Sequence, residues 1–153
     1  MNLTVRSATN RDCARVQELV FGILADYGLQ PDTDGTDRDI YDIEGSYSGR
    51  GGRFDVLEDE TGTIVGTIGL YPLDAETIEL RKMYFAPAIR GRGIGKEMLR
   101  RMIDASRELG YKRIYLETAT VLKEAVGLYE SFGFSPTPER HTPRCDAAYV
   151  LDL

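Results

Sequence analysis

The chain has 153 residues, 42% hydrophobic and 29% charged, a length that buries roughly 70% of its unfolded surface, so one domain (1–153) with one sizeable core is expected rather than disorder or a fibrous fold. A formal net charge of −6 and a pI near 4.9 argue against a general nucleic-acid binder, and no run approaches the roughly 18 apolar residues that a membrane helix needs. Two cysteines and one histidine are too few for a disulfide scaffold and would leave a zinc site to be built mostly from carboxylates; with no apolar leader over residues 1–6, a reduced, cytoplasmic protein is expected.

Leu3–Arg6 reads as a short strand. Thr9 can cap a helix that carries Cys13, Val16, Val20, Ile23, Leu24 and Tyr27 on one face, with Gly28 as its stop. Residues 30–52 are glycine-rich and read as a loop with a short helix around 37–47. Three strands follow: Phe54–Glu58, Thr63–Tyr71 and Thr77–Phe85, the last ended by Pro87. From Gly93 to Leu109 the period is helical, with Ile94, Met98, Leu99, Met102, Ile103 and Leu109 as the stripe and Gly110 as the stop. A strand at Arg113–Thr118, a helix over 121–132 closed by Gly133, a return strand from Phe134 and a last strand at Ala147–Leu151 complete the chain. The order predicts an α/β fold with a mixed, mostly antiparallel sheet and flanking helices.

Charge is distributed unevenly. Between Arg81 and Arg113 ten bases face three acids, a local balance of +7 in an acidic chain. Between Asp32 and Glu44, six acids are answered by Arg38 alone. Inside the basic window, Arg90-Gly91-Arg92-Gly93-Ile94-Gly95-Lys96 lies between a strand and a long helix. Glycines allow a tight turn and close main-chain approach, and the N–H groups opening the helix face outward at its positive end, so the segment predicts a phosphate cradle. A dinucleotide fingerprint begun at Gly91 would need glycine where Lys96 stands. A P-loop would need glycine at Arg90 and serine or threonine at Glu97. ATP binding is therefore disfavoured.

Together with Glu79-Leu80-Arg81-Lys82-Met83-Tyr84-Phe85, Pro87 and Leu128-Tyr129-Glu130-Ser131-Phe132-Gly133-Phe134, this loop makes the sequence similar to the GNAT superfamily of N-acetyltransferases over nearly its whole length. The resemblance implies acetyl-CoA as co-substrate, its pyrophosphate on Arg90–Lys96 and its pantetheine beside Met83, Tyr84 and Phe85, where the third and fourth main strands splay apart. One departure stands out: where many members carry an asparagine that holds the CoA arm, this chain has Leu122, which leaves more of the binding to main-chain groups and the loop.

Amide formation needs a neutral amine, and an alkylammonium titrates near ~10.4. Glu79 is the candidate base, acting directly or through water; as a strand residue it is equally readable as salt-bridged. Tyr129 stands on an apolar helix stripe, which alone suggests core packing; the resemblance implies that it protonates the departing thiolate. A main-chain N–H near Met83 or Phe85 suits the oxyanion. Direct attack needs no covalent enzyme intermediate and no metal. Cys13 reads as core, and a nucleophilic Cys145–His141 pair is not expected. The resemblance places the acceptor between residues 27–47 and 141–146. There the acids attract a cationic amine or merely solvate a loop and cap its short helix, and Arg140 and Arg144 are available to a substrate carboxylate. The expected acceptor is a small-molecule primary amine. A protein or peptide amine, or an acyl-CoA sensor without turnover, are the alternatives. Oligomeric state is open, a homodimer being the commonest form.

Overall fold

A computed structural model describes residues 2–153. Alternating and β-branched segments become strands β1 (Thr4–Ser7), β2 (Arg53–Glu58), β3 (Ile64–Pro72) and β4 (Thr77–Phe85), then β5 (Arg113–Thr118), β6 (Ser135–Thr137) and β7 (Ala147–Asp152). The helical stripes become α1 (Cys13–Asp26), α3 (Ile94–Glu108) and α4 (Lys123–Ser131), and the short helix α2 occupies Ile43–Ser46. A 3-10 turn at Asn10–Asp12 precedes α1: the Asp12 carboxylate accepts from the Thr9 N–H at 2.9 Å and the Thr9 hydroxyl from the Arg11 N–H at 3.3 Å, a reciprocal cap. Helix α4 is shorter than its expected 121–132 span, and Phe134 is a buried core residue just before β6 rather than its first residue. Gly28, Gly110 and Gly133 stand at positive φ just beyond the helix ends they were expected to close.

The strands form one sheet in the order β1-β2-β3-β4-β5-β7-β6, with β4·β5 as the one parallel pair among the described residues. Side-chain alternation sends the sheet's apolar residues to both faces. On one face Leu70, Ile78, Leu80, Ile114 and Leu116 pack with Met98, Leu99 and Met102 of α3 and Tyr129 of α4. On the other, Phe54 and Val56 pack with Val16, Val20 and Leu24 of α1, and with Ile40 and Tyr47 from the segment after it. Among the described residues no helix is long and apolar enough to cross a membrane.

Two irregularities of β4 prepare the site. Its pairing with β5 runs only from Thr77↔Arg113 to Glu79↔Tyr115, after which β5 continues beside β7 and β4 is left unpaired on that side. On its other side the register with β3 shifts between Thr67 and Gly69, so that Lys82 and Met83 oppose a single residue, a bulge with Lys82 at φ 56°. The Thr67 hydroxyl closes the bulge by donating to the Lys82 carbonyl at 2.7 Å.

Candidate active site

The splay opens a groove beside β4. Met83, Tyr84 and Phe85 form one wall, Leu122, Ala125 and Leu128 another, and the glycine loop closes the end. Gly91 and Gly93 take φ 75° and 76°, a left-handed conformation that glycine adopts without the Cβ clash other residues meet. Gly93 is the N-cap of α3 and has no side chain to offer, so the first N–H groups of the helix have neither a helical acceptor nor a side-chain cap from that residue. An uncapped, positive helix end is chemically suited to an anion. Arg90 donates from Nε to the Phe85 carbonyl at 2.9 Å and lies 5.9 Å from the Tyr27 ring centroid, which ties the loop back to β4. Arg92 and Lys96 are exposed and stand outside the groove lining.

A second cavity shares Met83, Tyr84, Leu122 and Ala125 with the groove. Glu79 and Tyr129, which come from opposite sides of the splay, both line it. Glu79 is 6% exposed. Burial pushes its carboxyl above the ordinary value, an effect opposed by Arg81 and reinforced by Glu117. Its salt bridge to Arg81 is present at 2.7 Å (Nε to Oε1), and the Arg81 guanidinium lies 3.7 Å over the Tyr71 ring. Tyr129 combines both readings of its helix stripe. Its ring packs near Phe134 and Tyr149, the residue also lines the cavity, and its hydroxyl has no hydrogen-bond partner among the described residues. Burial, then Tyr84 and Cys145, push that phenol well up.

Behind this cavity lies a polar network that local sequence patterns do not reveal. Asp37 is fully buried and Asp39 is 5% exposed, so these two members of the acidic run do not solvate a loop. Lys82, on the bulge, places Nζ 3.2 Å from Asp37 Oδ1 and 3.1 Å from Asp39 Oδ1. Arg144 binds Asp37 through both terminal nitrogens, at 2.6 and 2.9 Å, and Tyr47 donates its hydroxyl to Asp39. Burial alone would raise the Asp37 carboxyl; Arg144 and Lys82 outweigh it and bring it down to about 2. The expected capping role belongs instead to Asp42, the N-cap of α2, which accepts from the Gly45 N–H, while Asp32 accepts from the Thr36 N–H in the preceding turn.

Arg144 is thus engaged by Asp37, which corrects the expectation that it is available to a substrate carboxylate, whereas Arg140 is exposed and donates from one terminal nitrogen to the Asp146 carbonyl at 2.9 Å. His141 does not meet Cys145: its ring lies 6.2 Å from that of Tyr115. Cys145 lines the second cavity, where burial raises its thiol to about 11, so it holds no thiolate at neutral pH. Cys13 is core, as expected. Glu117, which also lines the cavity, has a sequence signal only in retrospect: Glu79 is paired with Tyr115, and residues two apart on a strand share a face. Among the described residues no three His, Cys, Asp or Glu side chains are grouped to hold a metal ion.

The model of the acetyltransferase (GNAT) family matches residues 18–134, a span that includes the glycine loop, Glu79 and Tyr129. The chain belongs to the GNAT family. It is 39% identical over 135 residues to the uncharacterized N-acetyltransferase YjgM of Escherichia coli K12, covering 85% of this chain and 80% of that one. It is 38% identical over 105 residues to human N-acetyltransferase 8B, covering 65% of this chain and 46% of the human protein. Its fold matches that of a GNAT-family acetyltransferase from Staphylococcus aureus Mu50, with a TM-score of 0.92, 24% identity and 99% of both chains covered. A phosphinothricin acetyltransferase of Sinorhizobium meliloti, solved with acetyl-CoA, superposes with a TM-score of 0.76 at 20% identity, over all of this chain and 89% of that one. This GNAT protein is accordingly an acetyltransferase.

Proposed function

We propose that this GNAT protein, acting as one catalytic domain, acetylates a primary amine of a small molecule by direct attack on acetyl-CoA. The observation that carries this reading is that Glu79 and Tyr129 line one cavity, and that this cavity shares the Met83–Tyr84 wall with the groove ending at the glycine loop. The diphosphate of acetyl-CoA sits on the main-chain N–H groups of the loop and the start of α3, where Arg90 adds charge from the groove lining and Arg92 and Lys96 add it from outside. The pantetheine runs beside Met83–Phe85, whose groups facing β5 lack a strand partner, and Leu122 gives it an apolar neighbour.

An acceptor arriving as an ammonium loses one proton to Glu79, directly or through water. The free amine forms the C–N bond at the thioester carbon while a main-chain N–H of Met83–Phe85 receives the oxyanion. The C–S bond then breaks. Tyr129 protonates the leaving sulfur and regains a proton from the acylated nitrogen, so that one proton per turnover passes to solvent. A reducing cytoplasm suits the two unpaired cysteines.

The test is thiol release from acetyl-CoA across a panel of primary amines, with the acetylated product identified by mass. Amine-dependent release is the expected result. Tight acetyl-CoA binding without release from any amine would instead fit a sensor and would overturn the reading.

A further inference from the structure

Three cations line the Glu79–Tyr129 cavity: Arg81, Lys82 and Arg144. Each is already answered: Arg81 by Glu79, Lys82 by Asp37 and Asp39, and Arg144 by Asp37. No guanidinium or ammonium there is left for a substrate carboxylate. The reverse holds for Glu117, which lines the same cavity and has no ion-pair partner among the described residues. Its Oε1 accepts from the N–H groups of His141 and Thr142, at 2.7 and 2.9 Å. Two main-chain donors on one oxygen hold the side chain against the cavity wall without supplying a countercharge. The β4·β5 register puts Glu117 on the face of Glu79, one side-chain step beyond its partner Tyr115. Tyr129, 6% exposed, lines the same cavity, and its hydroxyl has no hydrogen-bond partner among the described residues.

Building on the acetyltransferase reading, we propose that Glu117 anchors the acceptor: its carboxylate, beside that of Glu79, receives the ammonium of a primary alkylamine that carries no carboxylate next to the nitrogen. An alkylammonium supplies the missing countercharge. An α-amino acid brings a second anion against Glu117 and Glu79, with no cation to receive it, and is rejected by repulsion and by the cost of stripping its carboxylate of water. The specificity is thus set by what the cavity leaves unpaired.

Kinetics of the full chain with matched acceptors test this: isoamylamine against leucine, and phenethylamine against phenylalanine, each with saturating acetyl-CoA. The decarboxylated member of each pair is expected to have a kcat/KM at least about tenfold higher. Glu117→Gln keeps an oxygen for the His141 and Thr142 N–H groups and removes the charge. It should raise KM for the amine about tenfold or more while KM for acetyl-CoA and the melting temperature hold, and Glu117→Asp should recover part of the loss. Equal or better use of the amino acids, or an unchanged amine KM in Glu117→Gln, would overturn the assignment and leave the acetyltransferase reading standing. Failure of the wild type to release CoA with any amine would overturn both. The comparison within each acceptor pair uses the wild type alone, so it decides the matter even where a variant fails to fold.

Discussion

Tyr129 belongs at once to the core that α4 packs against the sheet and to the lining of the second cavity. Removing the hydroxyl alone separates the two roles. Tyr129→Phe is expected to lower kcat by about 100-fold, the scale of a lost general acid, with acetyl-CoA affinity and melting temperature close to wild type. An unchanged kcat would remove the tyrosine from proton transfer. Glu79 gives a pH signature instead. Its carboxyl titrates above the ordinary carboxylate value because it is buried, and a base works only after losing its proton. So kcat/KM should rise with pH through that elevated value, and Glu79→Gln should remove this acid limb as well as most of the rate. Both residues enter the sequence reading as candidates through the family resemblance: the helix stripe alone reads Tyr129 as core, and strand alternation alone leaves Glu79 equally readable as salt-bridged. Glu117 does not enter it, because its meaning comes from which cations are already paired around it.

At the scale of elements, α3 follows from periodicity, since it buries one regular stripe, whereas β4 buries successive residues on both faces of the sheet. The bulge does not follow: nothing in Arg81-Lys82-Met83 announces a lysine at φ 56°, which is held there by Thr67 and by two buried aspartates. The glycine loop is legible because its function rests on main-chain geometry that only certain residues permit. At Gly93 a Cβ would meet no atom within 4 Å, so space is not the constraint; φ 76° is. Gly93→Val therefore places a β-branched residue in the left-handed region, at a cost of about 1–2 kcal/mol or more, and should re-aim the start of α3. The expected result is a folded protein with a normal far-UV spectrum that binds acetyl-CoA at least about tenfold more weakly by calorimetry. Retained affinity would mean that the diphosphate sits elsewhere.

Across the whole molecule, the Asp37–Lys82–Arg144 cluster joins segments that local pattern cannot connect: Lys82 lies 43 residues from Asp39, and Arg144 lies 107 from Asp37. It ties segments that line the second cavity to the strand that also borders the groove. That connection has an acid limit. Asp37 titrates at about 2 in the folded protein, against roughly 3.9 in an unfolded chain. Its contribution is therefore fully present above about pH 4 and is lost as the pH falls towards 2, where both states bind the proton. The loss falls on the segments that the cluster holds, not on the apolar packing of α3 against β3 and β4. Hydrogen exchange near pH 3 should show residues 28–52 and 138–146 opening while the amides of α3 stay protected. Asp37→Asn should cost about 3 kcal/mol at pH 7, where it leaves buried cations short of a partner, and its deficit relative to wild type should shrink as the pH drops from 4 to 2. A deficit that is constant over this range would separate the acid response from Asp37, and uniform exchange over the chain would mean that the cluster does not hold the acceptor walls separately from the core.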